Sequence, residues 1–582
     1  MKRALIVLAA VLTACCSGPV NYNRVEADTS LLAEEQAFVA DLLKSRIEER
    51  TPASAGRTLH VSFCIDSTLS GEQARISIRR GKAVIRGARL RAVIAGTGVL
   101  LRTIRYGEHS FSLQDGQLEF APKKSFREVY FGRHYDTWYH RAPAEDLLRY
   151  TDDMALRGMN AIHSILSYPN VDAAHATAED LAFFADNTRA LAARVRRLDM
   201  DLTCSSGGNI APKNMPERFR ATLNTDWRRG GNDYNVCPEK PGAMDYLLTL
   251  RKEALEQLRD IPVTGLEYWP YDEGGCGCPE CSPWGGKGYP KMIGQYRHLN
   301  EAAFPGCMHM VSTWCFDQAD WEGFYPWLEQ NPWVSCLIVD AHGDFPEYVL
   351  EHPVPNDTPV ITFPEITMWG RYPWGSFGAI ATPQRHERLF RQAEPVSGGC
   401  QLYSEGIFED INKFVVNGLY INPSHHADDL LEEYAAFELP GTDPKDFVRL
   451  VHLMEETHET YVEGTENDYF VASYIQNGPE DELERRKTLS ADMLALAEKM
   501  DGDILPSMRS CWRWRVIMLR AIIDKELYAH RQLHSETLDE AYRELIGIYH
   551  AQKQAEGVLK GYGGHTCPPL PQSYRAETGQ SL

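Results

Sequence analysis

The hydrophobic pattern changes its period twice along the chain, and each change marks a change of architecture. Apolar residues recur at three- and four-residue intervals over 29–50, which predicts an amphipathic helix; a Thr-Pro-Ala-Ser-Ala-Gly stretch then separates it from a strand at 60–65. Alternation over 74–87, centred on Arg80-Gly81, predicts a hairpin, and the apolar run at 90–101 predicts a helix lying on that sheet. From Ser125 onward, short extended segments alternate with helical ones. Strands are predicted at 128–133, 161–166, 201–205, 265–269, 308–313, 335–340, 360–363 and 399–403, with an amphipathic helix between the first two that closes at Gly158. Eight such β-α repeats close a barrel, and no Gly-x-Gly-x-x-Gly follows the first strand to argue for a doubly wound sheet. Past Asn422-Pro423 the strands stop, and helical spacing fills 428–437, 444–463, 480–500, 506–532 and 535–560. The predicted fold class is α/β: a (β/α)8 TIM-like barrel at 125–424, with a small α/β domain at 28–124 before it and an all-α domain at 425–565 after it.

Composition adds bounds to this picture. A chain of 582 residues with 43% hydrophobic content has more core material than one domain needs. The net charge of -21, with no basic stripe, argues against nucleic acid and against an anionic membrane surface as partners. The amino terminus reads differently. Met1-Lys2-Arg3 precedes an apolar run at 4–12 that is too short to span a bilayer, and Leu12-Thr13-Ala14-Cys15 ends in a cysteine after small residues. This resembles a bacterial lipoprotein signal over 1–15. The resemblance implies lipidation of Cys15 and a lipid-anchored protein of the cell envelope, on the outer membrane or facing the periplasm.

Glu267-Tyr-Trp-Pro-Tyr-Asp-Glu-Gly-Gly-Cys-Gly-Cys-Pro-Glu-Cys281 concentrates the candidate chemistry. Asp272 and Glu273 stand where the fourth predicted barrel strand empties into a loop, the position from which parallel barrels present catalytic groups. Cys276, Cys278 and Cys281 can supply three thiolates to a structural zinc, with a distant fourth ligand such as Cys237, or can form a disulfide. Most other cysteines fall in predicted strands and read as small buried hydrophobes.

The remaining strand ends carry the same bias. Arg133, His134, Asp136 and Trp138 follow the first strand, Asn209 the third, Trp314 and Asp317 the fifth. Asp340, His342 and Asp344 follow the sixth, Glu365 and Trp369 the seventh, and Tyr403, Glu405, Glu409 and Asp410 the eighth. Carboxylates converging with aromatics suit glycoside cleavage: one acid protonates the leaving oxygen, another acts on the opposite face, and flat rings carry the sugar. No catalytic cofactor is required, and no His-x-His or His-Glu-x-x-His pair is present to hold a catalytic ion. The partner implied is an oligo- or polysaccharide. A non-catalytic, lipid-anchored glycan-binding protein is the alternative, against which the adjacent acid pair weighs.

The order of the three parts resembles the bacterial α-glucuronidases and, more loosely, the β-N-acetylhexosaminidases. The first resemblance implies that Glu273, in Tyr271-Asp-Glu-Gly-Gly275, is the general acid, and that Asp344 and Glu365, in Gly343-Asp-Phe-Pro346 and Ile361-Thr-Phe-Pro-Glu-Ile-Thr367, hold an attacking water. The second implies that Asp272 orients a substrate acetamido group while Glu273 remains the acid, and that Arg133 clamps sugar hydroxyls. Trp314, Asp340, His342, Trp369, Tyr403 and Glu405 complete the expected substrate-binding set. The cysteine cluster belongs to neither pattern.

Overall fold

In the computed structural model, residues 18–169, 173–223, 234–271, 274–364, 377–458, 475–560 and 567–572 are described. The expected Cys15 site, Asp272, Glu273, Glu365 and Trp369 lie outside them.

The amino-terminal part holds two sheets. Strands β1 (Val20–Tyr22), β6 (Arg105–Tyr106) and β7 (Phe111–Leu113) pair antiparallel in the order β1-β7-β6. Strands β2 (Arg24–Leu31), β3 (Thr58–Ile65), β4 (Ala74–Arg79), β5 (Lys82–Gly87) and β8 (Gly116–Phe120) form a mixed sheet in the order β2-β3-β5-β4-β8. The β4-β5 hairpin turns at Arg80 and Gly81, whose φ values of 51° and 80° match the tight turn that suits twisted strands. The helix Leu90–Thr103 packs on this sheet. The helix expected over 29–50 begins only at Val39. Residues 24–31 instead run parallel to β3, and Asp28 takes the Ser30 N–H at 2.9 Å, a local bond that competes with helix formation.

Eight parallel strands then close a barrel: β9 (Phe126–Phe131), β10 (Ala161–Ser164), β11 (Asp201–Ser205), β12 (Gly265–Tyr268), β13 (Met308–Ser312), β14 (Cys336–Asp340), β15 (Val360–Phe363) and β16 (Ser397–Ser404), with β16 pairing back onto β9. Segments such as Cys336-Leu-Ile-Val and Val360-Ile-Thr-Phe are apolar on both faces because helices cover the outside and neighbouring strands fill the inside. The first strand begins and ends two residues earlier than its pattern indicated, so Arg133 lies beyond it in a loop.

Helices follow at Ala427–Glu438, Pro444–His458, Glu480–Asp503, Trp512–His530, Glu536–Ile548 and Gln552–Leu559. The last two were expected as one; His550, with φ of 52°, breaks them apart. No helix among the described residues is long and apolar enough to cross a membrane.

A buried ionic network ties the three parts together. Asp410 accepts from Arg157 at 2.7 Å, Arg513 at 2.9 Å and the hydroxyls of Tyr150 and Tyr434 at 2.8 and 2.9 Å. Glu438 binds Arg157 at 2.9 Å and Arg50 at 2.7 Å, and Asp153 binds Arg46 at 2.7 Å and Arg513 at 2.8 Å. Burial alone would raise the Asp410 carboxyl, but Arg157 and Arg513 overcome it and hold the group far below the usual carboxylate range. Asp410 therefore stays ionised at any physiological pH.

Candidate active site

Residues two apart on a strand share a face. Glu128 and Tyr130 on β9, Glu267 and Trp269 at the end of β12, and Gln401 and Tyr403 on β16 thus fall in two successive levels, with Phe363 of β15 in the second. The lower level is polar and spans the barrel interior. Gln401 Nε2 donates to Glu128 Oε2 at 2.7 Å and, across the barrel, to Glu267 Oε2 at 2.8 Å. Thr203 donates to Glu128 Oε1 at 2.6 Å, and the His163 ring contacts Thr203 Oγ1 at 2.8 Å and Glu267 at 3.3 Å. All five side chains are buried. Burial pushes both carboxyls up to about 8 and pulls His163 down to about 3, so the network is neutral at neutral pH. Sequence reading missed these groups because each sits inside a predicted strand. The available signal was the recurring polar-x-aromatic triplet: Glu128-Val-Tyr130, Glu267-Tyr-Trp269 and Gln401-Leu-Tyr403.

The upper level is aromatic and opens at the carboxyl-terminal ends of the strands. Phe363 is its hub: its ring lies 5.5 Å from Trp269, 5.9 Å from Trp314, 5.4 Å from His342 and 5.9 Å from Tyr403. Trp269 and Trp314 are stacked at 5.9 Å and 22°. His342 packs on Trp314 at 4.2 Å and pairs through Nδ1 with Asp340 at 2.9 Å. Tyr403 donates to Glu405 Oε1 at 2.7 Å and meets His134 Nε2 at 3.1 Å. Five of the expected substrate-binding residues, Trp314, Asp340, His342, Tyr403 and Glu405, are thereby brought into one contiguous group. Phe363 and Trp269 were not anticipated as members; within Val-Ile-Thr-Phe and Leu-Glu-Tyr-Trp they read as core.

The loop after β12 is held on both sides of Asp272 and Glu273. Trp284 Nε1 donates to Pro270 O at 2.7 Å, and Tyr271 donates to Asp320 at 2.9 Å. Asn209 accepts from Gly275 N–H at 2.9 Å and donates to Gly275 O at 2.7 Å. A side chain at Gly274 would meet Pro270 O at 2.4 Å, which explains the glycine there.

Other expected residues are placed elsewhere. Arg133 has no exposed surface: its guanidinium donates to Thr188 Oγ1 at 2.7 Å and Phe184 O at 3.1 Å and lies 3.9 Å over the Phe184 ring. Burial there, with no carboxylate beside it among the described residues, lowers its pKa to about 9, and the bonds to Thr188 and Phe184 tie it to the barrel wall. Asp344 is also apart from the group. Its side chain is 77% exposed and is held by Arg388 at 3.0 Å and Gln392 at 2.9 Å. The Gln392 bond and the Arg388 charge lower its pKa, the wrong direction for a base. Asp317 caps the helix Gln318–Glu329, Trp138 is core, Glu409 accepts the Glu405 backbone N–H, and Asp410 belongs to the ionic network.

Cys237 joins the predicted cysteine cluster. One sulfur from each of Cys237, Cys276, Cys278 and Cys281 lies within 4.8 Å of all the others. Hydrogen bonds among these sulfurs couple the thiols, lowering the pKa of Cys276 and raising that of Cys281. Cysteines in the strands behave differently; burial pushes Cys204 up to about 12, as expected of inert packing groups.

No known protein-family profile matches the chain, and no curated protein matches it. Solved structures do. A family GH115 4-O-methyl-α-glucuronidase with specificity for decorated arabinogalactans is 11% identical over 95% of this chain and 79% of its own, with a TM-score of 0.60. A family 89 glycoside hydrolase from Clostridium perfringens in complex with PUGNAc is 12% identical over 89% of this chain and 66% of its own, with a TM-score of 0.58. A GH138 enzyme targeting pectin rhamnogalacturonan II is 11% identical over 90% and 74%, with a TM-score of 0.54. At these identities the likeness is one of fold. The chain shares the barrel architecture of these glycoside hydrolases.

Proposed function

We propose that this protein is a glycoside hydrolase that removes a uronic-acid or N-acetylhexosamine residue from the end of a glycan, with Glu273 as general acid. The observation that carries the reading is the group around Phe363: a stacked Trp269-Trp314 platform joined to two carboxylate pairs, Asp340-His342 and Tyr403-Glu405. Aromatic faces take the apolar side of a pyranose, and hydrogen-bonded carboxylates take its hydroxyls. The partly buried mouth makes each polar contact stronger than it would be in water.

Glu273 stands two residues beyond Tyr271, which is bonded to Asp320, and two before Gly275, which is bonded to Asn209, so the segment that carries the acid is flanked by anchored residues. Its neighbour Asp272 would favour the protonated form of Glu273 by like-charge repulsion and, on an N-acetylhexosaminide, would orient the acetamido group as internal nucleophile. On a uronide, Glu365 would hold the attacking water, roughly 6.5–9.5 Å from the acid. The exposed position of Asp344 and its bonds to Arg388 and Gln392 favour Glu365 over Asp344 in this role.

Incubation with aryl uronides and aryl N-acetylhexosaminides, followed by NMR of the released sugar, tests the proposal. Release with retention on a hexosaminide supports the Asp272 route, and release with inversion on a uronide supports the Glu365 route. Binding without release from any member of the panel overturns the assignment. We also propose that Cys15 carries the lipid anchor of an envelope-bound enzyme; Cys15→Ala should convert it from a membrane-fraction to a soluble protein, and unchanged fractionation would refute the anchor.

A further inference from the structure

We infer that Cys237, Cys276, Cys278 and Cys281 form a tetrathiolate site for one zinc ion, which pins the loop after β12 to the loop after β11. The sulfur geometry is the main argument. In a tetrahedron with metal–sulfur bonds of about 2.3 Å, neighbouring sulfurs stand about 3.8 Å apart. Cys237 Sγ lies 3.7 Å from Cys278 Sγ and 3.9 Å from Cys281 Sγ. A disulfide needs about 2.05 Å, and two disulfides would separate the four sulfurs into two close pairs instead of gathering them around a centre. All four fall within 4.8 Å of one another, which leaves room for a single ion and none for a polynuclear iron–sulfur cluster.

The surroundings are those of a closed structural site. Cys237, Cys276 and Cys281 are buried and Cys278 is half-buried, so no coordination position is left open to a substrate. Cys281 N–H and Ser282 N–H both turn back to Cys278 O, at 3.0 and 2.9 Å, folding the last two ligands around one point. The two loops are already stitched by Gly277 N–H to Thr222 O at 2.7 Å and by Asn209, which bonds both Val236 O and Gly275. What these bonds lack is strength: a structural zinc stabilises a fold far more than a few hydrogen bonds of this kind do. Cys276 follows Glu273 by three residues, so the ion would fix the carboxyl side of the acid-bearing turn. That functional consequence rests on the glycosidase reading; metal occupancy does not.

The full chain, purified without added metal, is analysed for metal content and for free thiols. One zinc per chain, released when a mercurial titrates the four thiolates, is the expected result. Replacement by Co2+ should give intense thiolate-to-cobalt charge-transfer bands, lost in Cys237→Ser and in Cys278→Ser. If those variants do not fold, metal content and the cobalt spectrum of the unaltered protein still decide. Stoichiometric iron, or a metal-free protein with disulfides or four freely reactive thiols, overturns the site. Zinc at one per chain without activity on any glycoside would leave this inference standing and remove the functional one.

Discussion

The Tyr403 hydroxyl lies 2.7 Å from Glu405 Oε1, and this bond holds a fully buried carboxylate at the mouth of the barrel. Tyr403→Phe removes that donor and the contact to His134 while keeping the ring against Phe363. Leaving a buried carboxylate short of a donor costs about 1–3 kcal/mol. The expected outcome is a fall in kcat/KM of about tenfold or more on the substrate identified by the glycoside panel, with the far-UV circular dichroism spectrum unchanged.

Asp344 separates two accounts of water activation. Because its carboxylate is exposed and already bound by Arg388 and Gln392, Asp344→Asn should change kcat by less than about threefold. Loss of a general base would instead cost about 100-fold or more. Steady-state kinetics on the purified variant decide.

The interior carboxyls set a pH dependence of stability. Glu128 and Glu267 titrate near 8 in the fold against a reference of 4.5, so they bind protons more tightly folded than unfolded, and stability is lost as pH rises through that interval. His163, lowered from 6.5 to about 3, acts oppositely, but its effect is complete above pH 6.5. Of these three groups only the carboxyls act between pH 6.5 and 8, each contributing at most about 1.4 kcal/mol per pH unit. Because Glu267→Gln removes one of them, its melting temperature should lose less with rising pH over that window than the parent protein's. An identical pH dependence in the two proteins would contradict the neutral network.

At the junction of the three parts, Asp410→Asn leaves Arg157 and Arg513 buried without their shared carboxylate. Breaking a buried ion pair from one side costs about 3–5 kcal/mol. Chemical denaturation should show that loss in the first unfolding transition, and an unchanged midpoint would remove the network from the account of stability.

The barrel was legible in the sequence because its strands are short apolar runs separated by helical spacing. The Arg80-Gly81 hairpin was legible because its turn residues interrupt a strict alternation. The start of the helix at Val39 was not, since residues 24–31 carry no clean period and their strand character comes from pairing with β3. Within the site, aromatic and carboxylate residues at strand ends were visible as a list, and five of them do meet. Their hub, Phe363, was hidden because an apolar residue at a strand end looks the same whether it faces the core or a ligand. Arg133 and Asp344 show the converse. Sequence gives a charge but not its partner: Phe184 and Thr188 claim the first, and Arg388 claims the second.

Glu273→Gln provides the most direct test of the central claim. The variant keeps the size and hydrogen-bonding capacity of the side chain and removes only the transferable proton. Turnover of the preferred aryl glycoside should fall by about 100-fold or more while the melting temperature stays within a degree or two of the parent. Undiminished turnover by a folded Glu273→Gln protein would contradict the assignment of the acid, and with it the proposed mechanism.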